Sequence, residues 1–292
     1  MNGPTSVPLR SIGRTLVMLA TLGFSTTAGL ADIASAQDLR AYTRVYINPG
    51  KQRSEAATPA LRSNTLFHAG KAYDLLDTFG EITIFEPAHE RFTIINSSRM
   101  LITELSFTEI ENALHHTYTR AERSLDPGNP DALPLQEPVR KAIEFQLHPK
   151  FQVSSEQEGK RWKFEAPSLS YQISTVQSPD PTITEAYYRY ADWTARLNFV
   201  LHPLPNLPNA RIEVNRQLAA RDVLPVTVTM ESRAGKAMTA RAEHSFEWKL
   251  GMEDRKQLKY WDELLNNPSY KRLTFSEFQK AIKSTAITTA KR

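Results

Sequence analysis

The sequence predicts an α+β protein: a curled antiparallel sheet, half-barrel-like, packed against several helices. Three observations predict it. Apolar residues recur at every second position from Asp38 to Leu105, again over 151–174, and again over the pair Val223–Glu231 and Thr239–Leu250. Two capping boxes open runs with helical spacing, and a stripe over Ile183–Leu201 steps by threes and fours. Strands as long as the last pair normally belong to strongly twisted or curled sheets.

The first 36 residues read as an export signal. Arg10 and Arg14 precede the uncharged run Thr15–Phe24, and small residues follow to Ala34-Ser35-Ala36 ahead of Gln37, an A-x-A cleavage arrangement. The run holds about ten residues, whereas a bilayer span needs about 20. Cleavage is therefore expected, leaving 37–292 as a single α+β domain of the periplasm or secreted space, with the Pro-rich segment 124–138 as the boundary if two lobes exist.

In the mature chain, Leu39, Ala41, Thr43, Val45 and Ile47 alternate with Arg40, Tyr42, Arg44 and Tyr46, the pattern of a strand with one buried face. Ala69-Gly70 is a tight turn between Asn64–His68 and Lys71–Asp77, Gly80 leads into Glu81–Glu86, and Pro87–Glu90 turns the chain into Phe92 and Ile94. Ser106 and Glu109 form a capping box, so a helix should run from Ser106 to Arg123 with Phe107, Ile110 and Leu114 inward. The prolines of 124–138 make a loop, because proline lacks the donor that regular structure needs. A short helix follows over Val139–Leu147, and Trp162, Phe164, Leu169, Tyr171 and Ile173 suggest a second small set of strands.

The stripe Ile183, Tyr187, Tyr190, Thr194, Leu197 and Leu201 draws a long helix ending at His202-Pro203, and a short helical piece follows near Arg211–Ala220. Over 239–250, Ala240, Ala242, His244, Phe246, Trp248 and Leu250 share one face of a strand that would span ~40 Å, paired with Val223–Glu231. Glu253–Leu265 and a helix capped by Thr274 and Glu277 end the chain.

Composition narrows the chemistry. Zero Cys excludes disulfides, thiol nucleophiles, Cys-ligated metals and lipidation at a cleaved Cys. The balance of 36 Lys+Arg against 32 Asp+Glu, without blocks of like charge, argues against nucleic acid as a partner. No second apolar run approaches a membrane span. The chain contains no G-x-G-x-x-G, P-loop, G-x-S-x-G or H-E-x-x-H motif, so no cofactor and no catalytic residue is assigned. Adjacent His115 and His116 diverge by about 100° on a helix and do not share an ion; Glu111 with His115 would need further ligands. His244 reads as a hydrogen-bonded core histidine or as part of a ligand wall.

The hairpin at Thr65–Asp77, with Ala-Gly-Lys between its strands, followed by Glu81–Pro87 and Arg91–Ile95, resembles the "y-dG-k-ywvyd" hairpins of the Lol-type periplasmic lipoprotein-carrier superfamily. The resemblance covers about 40 residues. It implies an incomplete curled sheet closed by helices, and binding of acylated ligands without covalent catalysis. The chain departs from that pattern in lacking a lipobox Cys, in its aromatic-rich central helix, and in offering no counterpart to the superfamily's Arg at the cavity mouth. Together these readings suggest a soluble envelope protein whose curled sheet shelters a lipid or acyl ligand, lined by Trp162, Tyr187, Tyr190, His244, Phe246 and Trp248. Two alternatives stand beside it: a scaffold that holds another envelope protein, and a hydrolase with acidic groups or His244 assembled in space.

Overall fold

The computed structural model describes residues 38–48, 58–77, 80–129, 135–201, 206–233 and 237–289, the last seven of these by backbone alone. The leader and its expected cleavage residues Ala34, Ala36 and Gln37 lie outside the described residues. In chain order the elements are β1 (Leu39–Ile47), β2 (Leu61–His68), β3 (Lys71–Leu76), β4 (Glu81–Glu86), β5 (Arg91–Asn96), β6 (Leu101–Ser106), α1 (Phe107–Leu125), α2 (Glu137–Leu147), β7 (Gln152–Glu156), β8 (Arg161–Glu165), β9 (Leu169–Gln177), α3 (Pro181–Leu201), α4 (Asn209–Ala219), β10 (Val223–Ser232), β11 (Met238–Glu247), α5 (Met252–Leu265), β12 (Lys271–Leu273) and α6 (Phe275–Thr289).

The strands form one open, curled sheet of twelve in the order β12-β6-β5-β4-β3-β2-β1-β11-β10-β9-β8-β7. Every pairing is antiparallel except β12 with β6. Strands β7–β9, expected as a second small set, continue this sheet through β10. The connections behave as their residues dictate. Ala69 and Gly70 both take positive φ, 49° and 75°, the signature of the primed turns whose twist matches that of the flanking strands. The α1 cap closes reciprocally: Glu109 N–H donates to Ser106 Oγ at 3.2 Å, and Ser106 N–H donates to Glu109 Oε2 at 2.8 Å. Thr274 and Glu277 repeat the device at α6.

Helices α1, α3, α4 and α6 send Phe107, Ile110, Leu114, Ile183, Tyr187, Tyr190, Val214, Leu218 and Phe278 onto the inner face of the sheet, where they meet Leu39, Phe67, Phe85, Phe92 and Leu105. The register puts those five strand residues in one row, so a single line of apolar side chains crosses β1, β2, β4, β5 and β6, with Ala72 of β3 between.

Two expectations need correction, and one strand was not expected. The first meander is buried on both faces, not one: α5 lays Leu258, Trp261 and Leu264 over Leu66, Tyr73, Ile82, Ile84, Ile95 and Ile102 on the outer side. Alternation cannot reveal this, because a strand covered on both sides is apolar in both phases. The long strand β11 stops at Glu247 rather than Leu250. Beyond it the chain bends through Trp248 and Lys249, and Leu250 joins the outer cluster, which is how the chain crosses to place α5 there. Finally, β12 is an edge strand of three polar and apolar residues without a readable period.

Candidate functional site

The concave layer between the sheet and α3 concentrates the chain's unusual groups. Every second residue of β11 faces inward, so His244 and Phe246 point to the same side, and Trp248, just past the strand's end, continues a ladder of near-parallel rings with centroid separations of 6.3 Å and 5.6 Å. The ladder runs from a sealed end to an open one: His244 Nε2 is shielded from solvent, whereas Trp248 is 36% exposed. Tyr187 meets Phe246 edge-on at 5.8 Å, and Phe67 contacts both Tyr187 and Tyr190 at 6.3 Å and 5.5 Å.

Register also assembles a polar row beside the ladder. Thr43 of β1 lies opposite His244 on one side and Ser63 on the other, and Thr65 lies opposite Asp74. His244 Nδ1 lies 2.9 Å from Thr43 Oγ1, and Thr65 Oγ1 donates to Asp74 Oδ1 at 2.7 Å. Burial, reinforced by the positive charge of Arg211 on α4, depresses the His244 pKa to about 3, so its imidazole is neutral across the physiological range. Asp74 moves the other way. Burial raises its pKa, and the hydroxyls of Thr65, Ser63 and Tyr190, which favour the carboxylate, offset this only in part. Burial, and then the charge of Asp74, pushes the Tyr190 phenol well up, while burial takes Tyr187 to about 12 against the opposing influence of Arg211.

Among the described residues, buried polar atoms without a hydrogen-bond partner on the elements around this layer include Thr184 Oγ1 on α3, Asn215 Oδ1 on α4 and His244 Nε2 on β11. A buried polar atom without a partner costs about 1–3 kcal/mol, so a concentration of them in one layer calls for a reason. The charge of Arg211 on α4 acts on Tyr171, Tyr187, Tyr188 and His244 at once.

Of the six residues expected to line a ligand wall, His244, Phe246, Trp248 and Tyr187 are brought together, and Tyr190 joins them through Phe67. Trp162 stands apart. It lies on β8, three strands from β11 and therefore roughly 14 Å away. Its Nε1–H donates to Gly159 O at 2.7 Å and its ring sits under the Arg221 guanidinium at 4.5 Å. Tyr187 and Tyr190 are buried in the main core. Sequence reasoning missed Asp74, Ser63, Thr65 and Arg211. The readable signal was Asp74 itself, a carboxylate between Ala72 and Leu76 in one phase of a strand.

Two surface pockets lie elsewhere, and neither contains any of the six. One, of 570 Å³, lies among α1, the α2–β7 connection, α3 and α4; the other, of 420 Å³, lies between His68 and the charged side of α5. His115 and His116 sit with ring centroids 6.3 Å apart, and no group of three or more His, Asp or Glu among the described residues is arranged to hold a metal. No described helix is long and apolar enough to cross a membrane. No protein-family model and no curated protein matches the chain.

Proposed function

We propose that this protein is an exported binding protein of the cell envelope that shelters an amphipathic ligand, with an acyl or similar apolar chain, on the concave face beside α3. The observation that carries the reading is the ring ladder His244–Phe246–Trp248, which joins an unpartnered polar atom in the interior to an exposed indole at the rim. A ligand's polar end would pair with His244 Nε2 under the influence of Arg211, and its chain would lie along Phe246 and Trp248. Each CH₂ so buried contributes about 0.8 kcal/mol. A ligand there would require α3 to yield, since Tyr187 and Tyr190 are buried in the layer. A role in hydrolysis has less support, because Asp74 and His244 have opposed pKa shifts but neither lines an open cleft.

Native mass spectrometry of the mature protein, purified from its own envelope without detergent, tests this directly. The expected result is a co-purifying lipid or acylated molecule that is lost on Phe246→Asp. A ligand-free protein that also fails to take up palmitate would overturn the reading. A second reading, a scaffold for another envelope protein, draws on β7, an edge strand whose five residues are all exposed. Capture of a folded partner by the ligand-free protein, lost when proline replaces Ser154, would favour it.

A further inference from the structure

The 570 Å³ groove among α1, the α2–β7 connection, α3 and α4 has a floor and walls of different chemistry. Leu114, Leu147 and Ile212 supply apolar surface at its base. Lys150 and Arg196 supply cations from two separate elements, and neither forms an ion pair among the described residues. The Arg196 guanidinium lies 5.1 Å from the centre of the Trp193 ring, a stacking contact that restrains it while its N–H edge stays available.

The walls are tied together in advance of any ligand. Tyr118 Oη donates to Asn209 Oδ1 at 2.6 Å, Asn209 Nδ2 donates to the Leu147 carbonyl at 3.0 Å, and Leu207 N–H donates to Gln146 Oε1 at 2.7 Å, linking α1, α2 and the start of α4. Two carboxylates also line the groove. Glu213 is engaged by Arg216 at 2.8 Å and Gln217 at 3.0 Å, so its charge is largely answered, while Glu111 stands on α1 with His115 one turn on. The two cations that make no ion pair therefore sit on α3 and on the α2–β7 connection; Asp192, one turn before Arg196 on α3, feels its charge but does not line the groove.

We infer that this groove binds a small amphipathic phosphate monoester, its apolar part on Leu114, Leu147 and Ile212 and its phosphate held by Arg196 and Lys150. A planar fork and a point charge from different directions suit a dianion with three acceptor oxygens better than a flat carboxylate. The site contains none of the ladder or polar-row residues beside α3 and is tested independently of them.

Calorimetric titration of the full chain at fixed ionic strength with phenyl phosphate, inorganic phosphate and benzyl alcohol tests the inference. Phenyl phosphate is expected to bind saturably at one site. Inorganic phosphate, lacking the apolar contact, should bind at least tenfold more weakly, and benzyl alcohol should give no saturable heat. Arg196→Gln and Lys150→Gln should each weaken phenyl phosphate at least tenfold, while Lys256→Gln on α5 leaves it unchanged. No saturable binding, equal affinity for the two phosphates, or equal losses in all three variants would overturn the assignment. If a variant misfolds, amide shifts in the unsubstituted protein decide: shifts centred on Lys150, Arg196 and Ile212 support the site, and shifts centred elsewhere refute it.

Discussion

Strands β3–β6 and strands β8–β11 belong to one sheet but live in different environments. The first group is covered twice, by α1 and α3 inside and by α5 outside, and Ile82, Ile84, Ile95 and Ile102 are at most 2% exposed. The second group is covered once. Its outer face carries Arg241, Glu243, Lys163 and Thr229, with Arg241 and Glu243 paired at 2.7 Å and Arg241 over Tyr46 at 5.0 Å. The difference separates the part of the sheet that is packed on both faces from the part that carries the candidate site. The doubly covered end anchors the fold, while the singly covered end, with the His244 ladder and the unpartnered polar atoms, has less holding it in place and more freedom to open.

The largest test of that contrast is truncation on the two outer faces. Trp261→Ala should cost about 3–5 kcal/mol, since it removes a fully packed indole stacked on Tyr73, whereas Thr229→Ala should cost under about 1 kcal/mol. Urea unfolding of both variants measures this, and equal losses would break the comparison.

Next in size is the acid response of the open end. His244 is held neutral with a pKa of about 3, below its unfolded value of about 6.5, so its contribution is full above pH 6.5 and is lost as pH falls toward 3. The slope should approach 1.4 kcal/mol per pH unit in that window and flatten in His244→Gln, read as urea midpoints from pH 7 to pH 4. Asp74 has the opposite sign. Its pKa is raised, so its contribution is full below about pH 3.9 and declines as pH rises through the folded value. Asp74→Asn should therefore gain stability relative to the parent as pH rises from 4 to 7; a constant difference would remove the burial argument.

The smallest expected effect lies at the β2–β3 turn, in the anchored end. Ala69 holds a φ of 49°, which Asn tolerates better, so Ala69→Asn should raise stability by at most about 1 kcal/mol, or roughly 2–4 °C in melting temperature. A loss instead would mean that the side chain, not the backbone, decides this turn.

Much of this architecture was legible in the residues. The Ser106 and Thr274 boxes, the Ala69-Gly70 turn and the Ile183–Leu201 stripe are local devices, and each forms where its spacing says it should. The double burial of β4 and β5 was also written, as the runs Ile82–Phe85 and Phe92–Ile95, which carry apolar residues in both phases with only Thr83 and Thr93 between, but such runs do not say which helix covers the second face. The site was half legible. His244 and Phe246 share a phase on one strand, so their alignment follows from period, and Trp248 stacks on Phe246 just past the strand's end. The Thr43–His244 pairing joins residues 201 positions apart, and only register reveals it. Arg211 carried no signal, because one cation in a short helix looks like any solvated face.

The most direct measurement of the central claim is the affinity of the protein for saturated fatty acids of eight to sixteen carbons, followed by the fluorescence of Trp248 against a Trp248→Phe reference. Burial along the ladder predicts affinity rising about fourfold with each added CH₂ until the concave layer is filled, in keeping with about 0.8 kcal/mol per CH₂. An affinity that is independent of chain length, or undetectable at every length, would contradict it.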